Sequence, residues 1–120
     1  MHEASLARAV VNTVMDALKD KGLKDQRVTS ITLRIGDLAQ VDLESLEFAF
    51  SFATLETELE SCRLMFTSKD AVVRCMDCKR QSSYSTEYFY RCKVCGGPCE
   101  LVSGKEFDVI SLELESSGVQ

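Results

Sequence analysis

The chain carries one histidine, and it is residue 2. A mixed Cys/His metal centre in the body of the chain is therefore excluded. A hydrolytic nucleophile–base pair of the usual kind has no internal imidazole to use. Long apolar runs are also missing, so no segment is suited to span a bilayer. The opening Met1-His2-Glu3-Ala4-Ser5-Leu6 has neither the basic stretch nor the apolar core of a secretory signal. The cytoplasm is the expected compartment. Positive charge is scarce as well: 14 lysines and arginines stand against 19 acidic residues, for a net charge of -5. By weight of charge, that argues against a polyanion-binding surface. There is no low-complexity segment, and no internal repeat apart from a pair of CxxC motifs.

What is present fits one core with a small insert. At 120 residues and 45% hydrophobic content, one main core is expected and two independent ones are not. Charge is uneven along the chain. Residues 71–105 hold six basic against three acidic residues, and the remainder is strongly acidic. Glu3 to about Lys21 reads as a helix, with Leu6, Val10, Val14, Ala17 and Leu18 on one face and Gly22 as its stop. Val28 to Ile35 alternates, placing Thr29, Ile31, Leu33 and Ile35 on one face of a strand. Asp42 is a plausible N-cap for a second helix over about Leu43 to Leu59. That helix is apolar on more than one side, through Leu46, Phe48, Ala49, Phe50, Phe52, Ala53 and Leu55. It is either buried centrally or meets a partner, and a homodimer is compatible with the second reading. Cys62, Leu64 and Phe66 mark a second strand; Ile110, Leu112 and Leu114 mark a third. Residues 116–120 read as a frayed end. The expected fold is α+β, with two helices packed on a small three-stranded mixed sheet. One domain takes residues 1–69 plus 107–120, and a zinc-ribbon subdomain of residues 70–106 is inserted in it.

The insert contains Cys75-Met76-Asp77-Cys78 and Cys92-Lys93-Val94-Cys95, with thirteen residues between the motifs. In a chain with no export signal, such pairs favour metal over disulfides. The linker from Lys79 to Arg91 is long enough for a hairpin that returns the second knuckle to the first. Tyr84, Tyr88, Phe89 and Tyr90 can cover it. An insert of roughly 35 residues lacks the core to fold alone, and a Zn(II) ion on Cys75, Cys78, Cys92 and Cys95 would supply the stability. Four thiolates leave no open coordination position, so the site reads as structural. Iron in the same cage, giving a rubredoxin-like electron carrier, is the alternative. Cys99 is a spare thiol near the site, and Cys62 is read as a core residue.

At the other end, Met1 can offer its amine, His2 its ring and amide nitrogens, and Glu3 its amide or carboxylate. Such a nitrogen-rich, planar set favours Ni(II) or Cu(II) over Zn(II). The ordinary reading of His2 and Glu3 is an exposed helix start, where Glu3 also suits the helix dipole.

The sequence resembles the HypA/HybF-type nickel metallochaperones of hydrogenase maturation. The resemblance rests on Met1-His2-Glu3-Ala4-Ser5-Leu6, Arg34-Ile35-Gly36-Asp37, Asp42, the two CxxC pairs and the closing Ile110-Ser111-Leu112-Glu113-Leu114. It covers essentially the whole chain. It implies that His2 is a nickel ligand, with the Met1 amine and the amides of His2 and Glu3 completing the site. Asp42 falls at a family acidic position beside that site and is a candidate cap for it. Cys75, Cys78, Cys92 and Cys95 would hold structural zinc. The implied function is non-enzymatic: Ni(II) is a transient cargo, delivered to the large subunit of [NiFe]-hydrogenase. The implied partner is a nucleotide-hydrolysing, HypB-type chaperone, and some members also serve urease and its accessory proteins. Two features depart from the family pattern. The second knuckle has Lys93-Val94 where a proline is common, and Lys79 and Gly96 follow the knuckles where many relatives have histidine. The zinc cage should survive both.

A reading from another class is a zinc-ribbon module that binds nucleic acid or protein. Its support is the interleaving of basic and aromatic residues in the insert, with Arg80, Arg91 and Lys93 as the candidate contacts. The net charge and the Met1-His2-Glu3 terminus argue against it.

Overall fold

The computed structural model describes residues 2–115. Within them the order is α1 (Glu3–Asp20), β1 (Val28–Gly36), α2 (Leu43–Ala53), β2 (Arg63–Lys69), β3 (Val72–Cys75), β4 (Gln81–Ser83), β5 (Cys99–Ser103) and β6 (Phe107–Leu114). The expected frayed end falls outside the described residues.

Helix α1 buries Ala7, Val10, Val14 and Leu18, the three- and four-residue spacing that an amphipathic helix requires. It stops in a Schellman turn. Gly22 sits at φ +70°, the Leu23 amide donates to the Leu18 carbonyl at 2.7 Å, and the Gly22 amide donates to Lys19 at 3.1 Å. No side chain crowds Gly22, so its glycine serves the left-handed backbone alone.

Helix α2 packs against α1 and buries Leu46 and Phe50. It ends at Ala53, six residues short of the Leu59 expected from sequence. The Thr54 hydroxyl donates back to the Phe50 carbonyl at 2.9 Å, and Glu56 adopts a left-handed φ of 61°. A non-glycine residue in that conformation cannot continue a right-handed helix. The apolar periodicity runs on because Leu59 is fully buried from the turns that follow.

The first sheet has the order β2-β1-β6. Its central strand buries Ile31, Leu33 and Ile35, while Thr29, expected on the same face, is exposed. The start of β1 lies by the end of β6, where Glu115 donates to the Arg27 carbonyl, and its end lies by the start of β6, where Gly36 donates to Glu106. That pairing is antiparallel. Along β2 the ends run together, with Asp37 donating to Lys69 at the far end and Arg27 reaching Glu60 at the near end. The crossover through α2 makes that parallel arrangement possible, and the sheet is mixed. In β6, Leu112 and Leu114 turn inward as expected. Ile110 does not: it and Ser111 are both exposed, and Val109 and Phe107 take the inner positions before them.

The second sheet is antiparallel, in the order β4-β3-β5. The described chain divides into two compact units. One comprises residues up to Leu33, Gln40–Thr67 and the chain from Asp108; the other comprises Arg34–Ala39 and Ser68–Phe107. Residues Arg34–Ala39 join the second unit through main-chain bonds from Gly36, Asp37 and Leu38 to Glu106, Lys69 and Gly104. There the backbones of Gly36 and Gly104 approach so closely that a Cβ on Gly36 would lie 2.2 Å from the Gly104 carbonyl. Among the described residues, no helix is long and apolar enough to cross a membrane.

Candidate metal centres

The four knuckle cysteines come together. The Sγ atoms of Cys75, Cys78, Cys92 and Cys95 all lie within 4.8 Å of one another. Cys75 and Cys95 are 3.5 Å apart, and Cys78 and Cys92 are 3.7 Å apart. Four sulfurs at ~2.3 Å around a tetrahedral zinc ion are separated by ~3.8 Å, so the cage has the size that zinc requires.

Local backbone geometry builds this cage twice. In the first knuckle, the amides of Asp77 and Cys78 point at the Cys75 sulfur at 3.4 and 3.3 Å. In the second, Val94 and Cys95 point at the Cys92 sulfur at 3.4 and 3.5 Å. Each knuckle closes with a main-chain bond, Lys79 to Cys75 at 3.1 Å and Gly96 to Cys92 at 2.9 Å. The closing residue is left-handed both times, Lys79 at φ 68° and Gly96 at φ 77°. Glycine takes that conformation freely; lysine does so at a cost of about 1–2 kcal/mol. The flanking strands hold the knuckles in register, with β3 paired to β5 so that Cys75 faces Cys99.

The amide donors favour thiolate over thiol. Those of Cys78 and Asp77 hold the Cys75 thiol below its ordinary value. The amides of Cys95 and Val94 bring Cys92 down to about 6. Cys95 moves the other way, to about 12: the Gly97 amide favours its thiolate, but the neighbouring thiols and desolvation outweigh it. Four adjacent sulfurs cannot all ionise without a cation to share, and a divalent ion removes that conflict. The pH dependence follows. A lowered thiol pKa means that thiolate persists above it and is protonated as pH falls through it. Zinc is therefore expected to stay bound at pH 7 and to be released only in acid, below the range in which the metal-free Cys92 thiol titrates, because the ion competes with protons for the thiolates. A chromogenic chelator read from pH 7 down to pH 4 checks this; unchanged zinc occupancy at pH 4 would contradict it.

Cys99 stands outside the four-sulfur group. Its sulfur lies 3.9 Å from the Gly97 carbonyl oxygen, and desolvation together with Cys75 and Cys92 holds its thiol above the usual range. Cys62 is half-buried, and burial pushes its thiol up to about 11.

Of the terminal residues, Met1 lies outside the described residues. His2 is exposed and forms the N-cap of α1, its carbonyl accepting from Leu6 at 3.1 Å. Glu3 is tied to the second helix: its Oε2 accepts from the Asp42 amide at 3.0 Å. That bond, with the amide of Glu3 itself, holds the Glu3 carboxyl below its ordinary range. Asp42 caps α2 with Oδ1, which accepts from Glu44 at 3.1 Å and Ser45 at 3.3 Å. The structure thus brings Glu3 and Asp42 together at the meeting of two helix N-termini. No periodicity in the sequence signals this link, because it joins residues 39 positions apart.

Two helices beside a small mixed sheet, with a four-cysteine pair of knuckles on a second unit, define a small metal-binding α+β protein of zinc-ribbon type. The chain belongs to the HypA family: the family model described as "Hydrogenase/urease nickel incorporation, metallochaperone, hypA" matches residues 1–114. It is accordingly a member of a metallochaperone family and not an enzyme. Among curated relatives, the hydrogenase maturation factor HypA of Geotalea uraniireducens is 36% identical over 116 residues, covering 96% of this chain and 100% of that one. The HypA of Chloroflexus aurantiacus is 34% identical over 114 residues, covering 94% and 98%. The solution structure of the Ni metallochaperone HypA from Helicobacter pylori shares the fold, with a TM-score of 0.70, 19% identity and coverage of 95% and 97%.

Proposed function

We propose that this chain binds Ni(II) at its N-terminus and passes it to the large subunit of a [NiFe]-hydrogenase, working with a nucleotide-hydrolysing chaperone of the HypB type. In this reading the first unit handles nickel. The second is a zinc ribbon, with Cys75, Cys78, Cys92 and Cys95 as ligands of a structural Zn(II). The nickel ligands are the Met1 amine, the His2 ring and the amides of His2 and Glu3.

The observation that carries the reading is the placement of His2 and Glu3 at the first positions of α1. The first amides of a helix have no acceptor in the preceding turn. Replacing their protons with a metal therefore breaks no helical hydrogen bond. The adjoining start of α2 at Asp42 adds a second positive helix end, which favours negative charge on those nitrogens. The Glu3 carboxylate, already engaged by the Asp42 amide, acts as a strut and not as a ligand. Asp42 then holds the second helix start in place beside the metal. An exposed terminus also suits a cargo that must leave by ligand exchange. Cu(II) outcompetes Ni(II) at such ligands, so partner docking and not affinity supplies selectivity.

The test is a nickel titration of untagged protein, with Met1 verified by intact mass, beside a form extended by one residue before Met1. We expect one Ni(II) per chain with the absorption band of a planar site, and a weaker, spectrally different complex once the Met1 amine is acylated. Identical titrations for the two forms would remove the amine from the site. No tight nickel binding with zinc intact would instead favour a zinc-ribbon interaction module.

A further inference from the structure

Helix α2 has two apolar sides and buries only one. Leu46 and Phe50 face inward, whereas Phe48 is 67% exposed, Phe52 61% and Leu55, just beyond the helix, 53%. Phe48 and Phe52 stand one turn apart and pack edge to face, with ring centroids 5.0 Å apart at 74°. They form a ridge with a groove on either side. One groove, of about 490 Å³, has Ala4, Arg8, Ala49 and Ala53 in its walls. The other, of about 600 Å³, runs past Glu47, Ser51, Leu55, Cys62 and Met65. A ridge between grooves is the shape against which a second helix packs.

The charge around the ridge is predominantly negative. From Ile35 to Cys62 the sequence has seven acidic residues and no lysine or arginine. Glu44, Glu47 and Glu56 are exposed there, and none of the three enters an ion pair among the described residues. Arg8, in the wall of one groove, and Arg63, at the far wall of the other, are the exceptions to the acidic rim. A second copy of the chain would bring this acidic rim against its own image, and an anionic lipid surface would be repelled in the same way.

We propose that the Phe48–Phe52 ridge receives an amphipathic helix of a partner protein, one whose apolar stripe is flanked by lysine and arginine. Apolar contacts along the ridge and both grooves supply the affinity, and the carboxylates select the sign and orientation of the incoming helix. The proposal is independent of where nickel binds.

The probe is a synthetic amphipathic helix of leucine and lysine, about 18 residues long, titrated into the full zinc-loaded chain. Amide shifts should concentrate at residues 43–55 and the groove walls, and binding should weaken with added salt. Phe48→Ser with Phe52→Ser should raise Kd at least about tenfold while leaving the thermal melt unchanged, since both rings lie outside the core. Glu44→Gln with Glu47→Gln and Glu56→Gln should weaken binding at low ionic strength and have little effect at high. The proposal is overturned if the shifts fall elsewhere, if the serine pair binds as tightly, or if a leucine–glutamate helix binds equally well. Self-association in sedimentation that the serine pair abolishes would also overturn it, assigning the ridge to a second copy.

Discussion

Replacing Cys92 with alanine should remove zinc from the protein and unfold the second unit while the first stays folded. The apolar residues buried in that unit are few: Ile35, Ala39 and Val73, besides Cys75 and Cys92 themselves. Two of the five are the cysteines proposed as metal ligands, so without an ion the unit would have almost no core. Structural zinc contributes about 10–16 kcal/mol in isolated zinc-finger peptides, far more than three small or medium apolar side chains can supply. The variant should contain less than a tenth of the zinc of the parent chain. Amides of β3, β4 and β5 should exchange freely, and those of α1 and the middle of β1 should remain protected. Full zinc content with protected amides in β3 would refute the four-thiolate assignment.

His2→Ala has the opposite signature. It should lower nickel affinity by about a hundredfold or more, because removing a direct ligand costs at least as much as removing an outer partner. Zinc content and helical circular dichroism should not change. His2 is exposed and makes no side-chain capping bond, so the helix loses nothing when the ring goes. Isothermal titration with nickel, after zinc has been quantified, reads both effects in one preparation. Unchanged nickel affinity would move the site away from the terminus. The two variants together separate the metals: one loses zinc alone, the other nickel alone.

How much of this was legible in the sequence depended on whether the signal was local. Helix α1 could be read almost to the residue, because its apolar spacing and its glycine stop are both local. The four-sulfur cage was legible for the same reason, since a CxxC turn positions its own amides and needs only a return hairpin. The end of α2 was not. Its apolar pattern continues to Leu59, and only the turned-back Thr54 hydroxyl and the left-handed Glu56 show where the helix stops. Nor could composition tell which of the phenylalanines on α2 are buried. Phe50 is, whereas Phe48 and Phe52 are not, and that depends on which side α1 covers. The Glu3–Asp42 bond was invisible because nothing in either residue's neighbourhood requires it. Ile110 was placed on the wrong side because simple alternation does not reveal a change of phase within a strand.

The two knuckles have one further consequence, for the speed of metal exchange. In each, the first cysteine is buried and accepts two amides, while the second is exposed. The cage thus has a sealed side, Cys75 and Cys92, and an open side, Cys78 and Cys95. A chelator or an incoming ion would meet the open side first. With an ion held there, Cys78 and Cys95 would be the thiolates open to a competing ligand, and Cys75 and Cys92, shielded and held by amides, would be the ones organised to retain it.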